Sequence, residues 1–208
     1  MAAGPAQAAK ERLVVDLVAE PSSLDPQVQW NPDSYYVYRN IFDNLVTRDD
    51  KGEIVPQVAT AWKQVSDTEI EFELRGDITF HDGSKMTMAD FRYTFLERKL
   101  AGHKLDIVNT WRNIEEIEVA SPTTGTIRFS APSPTAPQWM AFMASFVVPK
   151  AYVEKVGPDG FRDKPIGSGP YKLVEYQMNS RAVFERNDAY WGEKPALSRI
   201  TFRFIPDA

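Results

Sequence analysis

The chain has 208 residues, 43% hydrophobic and 25% charged, which supplies apolar material for an ordinary core and excludes a disordered tail or a fibrous repeat. Acidic residues number 29 against 24 basic ones, and a net charge of −5 lacks the basic footprint that displaces phosphate counterions, so nucleic acid is not expected as a partner. With no cysteine and only His81 and His103 as histidines, disulfides, thiolate metal sites, cysteine nucleophiles and lipid attachment through a cysteine within these residues are excluded, and no metal or cofactor is expected.

Residues 1–9 are small and include Ala6-Gln7-Ala8, the small-x-small form that signal peptidase cleaves. They read as an export-signal remnant or an expression leader, with the folded part at 10–208. No apolar run approaches the roughly 20 residues that cross a bilayer. Residues 12–19, rich in Val and Leu, predict a buried strand. Pro21 and Pro26 around Ser22 and Ser23 enforce a loop. Asp33 or Ser34 then caps a helix to about Phe42, with Tyr35, Tyr38, Ile41, Phe42 and Leu45 along one side. Asp49-Asp50-Lys51-Gly52 predicts a turn, and residues 69–74 alternate charged and apolar side chains, the period of a half-buried strand.

Thr87 with Asp90 three residues later is a capping pattern, opening a helix with Met88, Phe91, Phe95 and Leu100 inward that ends near Gly102. Residues 114–119 and 126–130 predict a hairpin across Ser121-Pro122-Thr123-Thr124-Gly125. Three prolines make 131–137 a loop, followed by a short apolar helix at 139–144 and another at 150–156 that Gly157-Pro158 stops. Strands at 171–176, 181–185 and 200–204 complete an α+β chain of mostly antiparallel pairs. Nothing reads as a flexible linker.

Catalysis has no visible address. Gly167-Ser168-Gly169 lacks the spacing of a nucleophile elbow and reads as a tight turn. His81 beside Asp82 offers an imidazole next to a carboxylate, but adjacent residues on extended backbone point apart, so a turn through Asp82-Gly83 is the better reading. No motif singles out a pair among the 29 acids for glycoside hydrolysis. A hydrolase with unrecognised carboxylates stays open as an alternative, as does an adaptor that pairs through open strand edges. Binding has better candidates: Trp30, Tyr35, Tyr36 and Tyr38 are large side chains with polar tips, suited to a mixed polar and apolar ligand. For Tyr38, and for the stripe from Trp139 to Phe146, a core role competes with a pocket role.

Three opening motifs carry a resemblance: Glu20-Pro21-Ser22-Ser23-Leu24-Asp25-Pro26, then Asn40 to Val46, then Gly52 to Ala59 with Trp62. The series continues through Phe72-Glu73-Leu74-Arg75, Phe80-His81-Asp82-Gly83, and Thr87 to Phe91. It closes with Gly167-Ser168-Gly169-Pro170-Tyr171, Arg186-Asn187, Tyr190-Trp191-Gly192 and Ile205-Pro206-Asp207. In this order the chain resembles the family 5 extracellular solute-binding proteins, receptors of peptide and nickel ABC importers.

The resemblance implies a periplasmic-binding-protein-like lobe of the type II clamshell class, exported to the periplasm of a Gram-negative cell, binding peptides or peptide-like solutes and docking on ABC permease subunits. An opine, an oligosaccharide or chelated nickel is the alternative ligand within the family. It implies that this chain matches the N-terminal lobe, without the second lobe and returning strands. Open edges and apolar surface are then expected, with aggregation or pairing with a second copy or a companion fragment. The cleft residues it implies are Trp30, Asn31 and Pro32 on one wall and Phe142, Met143 and Ala144 on another. Glu20, Ser22 and Ser23 fall at the entrance, and Ser168 at the edge.

Overall fold

Two four-stranded sheets, each under its own apolar core, organise the computed structural model, which describes residues 11–29, 31–106, 108–142 and 145–206, with backbone only at 108. The chain opens with β1 (Arg12–Leu17), α1 (Pro32–Ile41) and a small hairpin of β2 (Val46–Arg48) and β3 (Ile54–Pro56). It continues through β4 (Ala59–Ser66), β5 (Glu69–Leu74), α2 (Met88–Arg92), a π-helical stretch (Tyr93–Glu97), α3 (Arg98–Leu100) and α4 (Val108–Trp111). After β6 (Ile114–Val119) and β7 (Thr124–Phe129) come α5 (Ala136–Met140) and α6 (Lys150–Asp163), then β8 (Tyr171–Gln177), β9 (Arg181–Arg186) and β10 (Arg199–Phe204). One sheet runs β1-β10-β9-β8, the other β4-β5-β7-β6, so the second sheet is inserted between the first strand of the other and its remaining three. All pairs are antiparallel except β1 with β10.

The expected buried strand at 12–19 is instead an edge strand. Leu13 and Val14 are 42% and 56% exposed, whereas Val15 and Leu17 reach the core that α1 and α6 share. A Val- and Leu-rich run reports strand preference, but burial of its second face depends on a covering layer, and among the described residues none lies there. Val174 and Met178, on and beside the other edge strand β8, are also exposed. By contrast β5 buries Ile70, Phe72 and Leu74 and exposes the glutamates between, as the alternation predicts.

Asp90 closes the predicted capping box: its carboxylate accepts the Thr87 N–H at 2.9 Å and the Thr87 hydroxyl at 3.0 Å. Past it, the helix departs from expectation. The π-helical stretch places an extra residue in one turn, which rotates everything downstream by about 100°. Leu100, expected inward, is 73% exposed, and Arg98 takes the inward position. Leu100→Ser should therefore change stability by about 0.5 kcal/mol or less. Phe95→Ala, which removes a ring packed on Phe91 and Trp111, should cost about 3–5 kcal/mol. Urea unfolding of both variants checks the pair.

Two other helices differ from the sequence reading. The helix expected at 139–144 begins earlier, because Pro137 in its first turn lacks only an N–H that would be unsatisfied there anyway. The stop at Gly157-Pro158 is a kink: Gly157 turns to φ 75°, and Pro158 restarts a helix that continues to Asp163. The strands β2, β3 and β4 carry no alternation strong enough to predict.

Candidate ligand-binding site

The loop before α1 is a web of side-chain hydrogen bonds built from the residues its turn chemistry requires. Ser23 is buried, its hydroxyl accepting the Asp25 N–H at 3.1 Å, and its carbonyl accepts the Tyr38 hydroxyl at 2.6 Å. Gln29 donates to the Ser34 hydroxyl at 2.7 Å and the Tyr38 oxygen at 2.8 Å, and it pairs with the exposed Ser22 hydroxyl. Burial pushes the Tyr38 phenol well above its ordinary pKa, so it stays a neutral donor. Asn31 caps α1 by accepting the Asp33 N–H at 2.8 Å, ahead of the Asp33 or Ser34 cap expected from the sequence, and Pro32 follows as the exposed first helical residue.

Of the residues expected to wall a cleft, Asn31 and Pro32 open α1, and Phe142 packs on that helix through Tyr35. Tyr35 stacks at 5.4 Å on Phe142 and at 6.0 Å on Phe146, with the Arg39 guanidinium 5.3 Å from the Tyr35 ring. Trp30, Met143 and Ala144 lie outside the described residues, as do residues 1–9 and Asp207. Tyr38, ambiguous in the sequence, is core. Glu20 fixes the β8–β9 turn, its carboxylate accepting the Asn179 N–H at 2.8 Å and the Tyr176 hydroxyl at 3.2 Å. Burial, helped by Glu20, pushes the Tyr176 phenol up to about 12. Beside this contact opens a concavity of about 730 Å³ lined by Ser22, Ser23, Leu24, Tyr152, Tyr176 and Met178 among others.

Ser168 stands apart from that surface. It is fully buried, and its hydroxyl donates to Asp43 at 2.8 Å. Asp43, not singled out within the Asn40 to Val46 motif, also accepts from Tyr190 at 3.0 Å, Trp191 at 2.9 Å and Gln57 at 3.2 Å, and burial pushes its carboxyl above the usual range. His81 and Asp82 form no acid–base pair. Asp82 turns to the Ser84 N–H and hydroxyl at 2.9 and 2.6 Å, while both ring nitrogens of His81 face main-chain groups of Gly167 and Gly169.

A sequence model of the bacterial extracellular solute-binding proteins, family 5 Middle, matches residues 53–208. The chain belongs to this family. It is 32% identical over 208 residues to Protein XP55 of Streptomyces lividans and 31% identical over 217 residues to the periplasmic murein peptide-binding protein MppA of Escherichia coli K12. Each alignment takes in 96% of this chain but only 36% and 40% of the relative, so the chain spans well under half the length of these family members. Among solved structures, PBP AgaA from A. tumefaciens R10 in complex with agropinic acid superposes with a TM-score of 0.85 at 30% identity, over 93% of this chain and 39% of that one. The mixed helices and largely antiparallel sheets are those of the family 5 fold. Among the described residues no helix is long and apolar enough to cross a membrane.

Proposed function

We propose that this chain is the N-terminal lobe of the substrate-binding component of an ABC importer, which captures peptides or peptide-like solutes in the periplasm and hands them to the membrane permease. The observation that carries the reading is family membership over 156 of the 208 residues, joined to a whole-chain likeness to a murein peptide-binding protein. The geometry supports it. The Asn31–Pro32 end of α1 and Phe142 form one patch through Tyr35, with aromatic area and polar groups close together. Trp30 adjoins that patch in sequence, and Met143 and Ala144 follow Phe142 in sequence. Glu20, Ser22 and Ser23 are proposed for the entrance, where the two serines line the neighbouring concavity, and Ser168 for a supporting role through its hydrogen bond to Asp43.

Calorimetric titration of the intact protein with peptides of two to five residues tests the proposal. Binding should be detectable, and Trp30→Ala should raise Kd about tenfold, in line with removal of an aromatic anchor, with little change in Tm. Absence of peptide binding with uptake of agropinic acid would favour the opine reading, which the AgaA complex supports. Turnover of a peptide would move the protein to the hydrolases.

A further inference from the structure

Residues 167–169 lie where the two cores meet, and they are held from opposite sides. On one side, the Asp43 carboxylate takes the Ser168 hydroxyl, and the Ile41 carbonyl at the end of α1 accepts the Gly169 N–H at 2.8 Å. On the other stands His81, in the loop after β5, beside Ile78 and Phe80 of the second core. Its own N–H donates to the Gly167 carbonyl at 2.8 Å, its Nδ1 accepts the Gly167 N–H at 3.3 Å, and its Nε2 lies 3.0 Å from the Gly169 carbonyl. A backbone N–H can be accepted only by an unprotonated ring nitrogen. The contact therefore assigns the single proton to Nε2, which donates to Gly169, and it requires a neutral imidazole.

We propose that His81 is an acid-released latch between the two sheets, closed while its imidazole is neutral and opened when Nδ1 takes a proton. The incoming proton occupies the lone pair that holds Gly167, so two N–H groups then face each other and the turn loses one of its three hydrogen bonds to His81. The charged groups around the ring are few. Lys172 of β8, whose Nζ donates to the His81 carbonyl at 3.2 Å, opposes a second positive charge. Asp82, next in the turn, favours it, and Tyr152 of α6 lies close enough to Asp82 to feel its charge. Asp43 faces the same tripeptide from beyond Ser168. Burial dominates, holding the imidazole down to about 4 against an ordinary 6.5. The sign follows: above 6.5 the latch carries no penalty, and between 6.5 and about 4 the opened form binds a proton that the closed form does not, so closure weakens as pH falls.

The test is hydrogen exchange of the intact protein at pH 7 and 4.5, corrected for the intrinsic pH dependence of exchange, together with proton NMR titration of its two histidines. The Gly167 and Gly169 amides should lose about 50-fold in protection at the lower pH while β9 amides hold, and His81 should titrate below about 5. His81→Gln, whose amide can donate to Gly169 and accept from Gly167 without titrating, should keep its protection, and Asp43→Asn should still open in acid. Titration of His81 near 6.5, equal loss in His81→Gln, or abolition of the effect by Asp43→Asn would overturn the proposal. Should His81→Gln fail to fold, the wild-type titration and exchange decide alone.

Discussion

Arg98→Met is expected to destabilise the protein by about 3–5 kcal/mol, measured by urea unfolding, because it leaves a carboxylate buried without its cation. Arg98 and Asp25 are each 1% exposed, joined at 2.5 Å and 3.3 Å, with Gln27 completing the fork at 2.7 Å. Asp25 belongs to the loop after β1, and Arg98 opens α3 at the end of the helical run that packs on the other sheet, so the pair ties the two halves. The guanidinium also lies 6.0 Å over the Phe161 ring of α6. Adding Asp25→Asn to Arg98→Met should recover part of the loss, since it removes the stranded charge while an amide oxygen can still accept the Gln27 N–H that Asp25 takes at 3.0 Å. A loss below 1 kcal/mol for the single variant would show that the pair contributes registry without stability.

Gly169→Ala should cost about 3 kcal/mol or more, with lost near-ultraviolet circular dichroism from the surrounding aromatic rings. A Cβ at this position would stand 2.6 Å from the Ile41 carbonyl carbon and 2.7 Å from the Asn40 oxygen, and both are backbone atoms at the end of α1 that no rotamer change can move aside. The neighbouring Gly167 meets the same carbonyl. Gly76→Ala is the control: its Cβ would touch only Thr123 at 3.7 Å, and stability should stay within about 0.5 kcal/mol. Equal effects at the two positions would mean that loss of chain flexibility, rather than close approach, sets the cost.

Elements with strong local signals were legible. The β5 alternation, the Thr87–Asp90 capping box and the hairpin at 114–129 all follow from side-chain spacing acting over a few residues. The candidate site was legible in pieces. The aromatic tips of Tyr35 and Tyr38 were visible, but that one packs on Phe142 and the other is sunk in a core depends on partners about 100 residues away or on depth. Asp43 gave no signal, because a single carboxylate means little until Ser168, Tyr190, Trp191 and Gln57 converge on it.

By itself, the sequence determined the α+β class, the places where helices and strands begin, the exclusion of cysteine chemistry and a family likeness carried by ordered motifs. These depend on local hydrogen bonding, hydrophobic period and composition, all written within short windows of chain. Only the tertiary structure decided that β1 is an edge, that the π-helical stretch turns Arg98 in and Leu100 out, and that the Gly167-Ser168-Gly169 turn is a buried joint. Each of these turns on how one layer covers another, and burial is a property of distant segments meeting, which no short window contains.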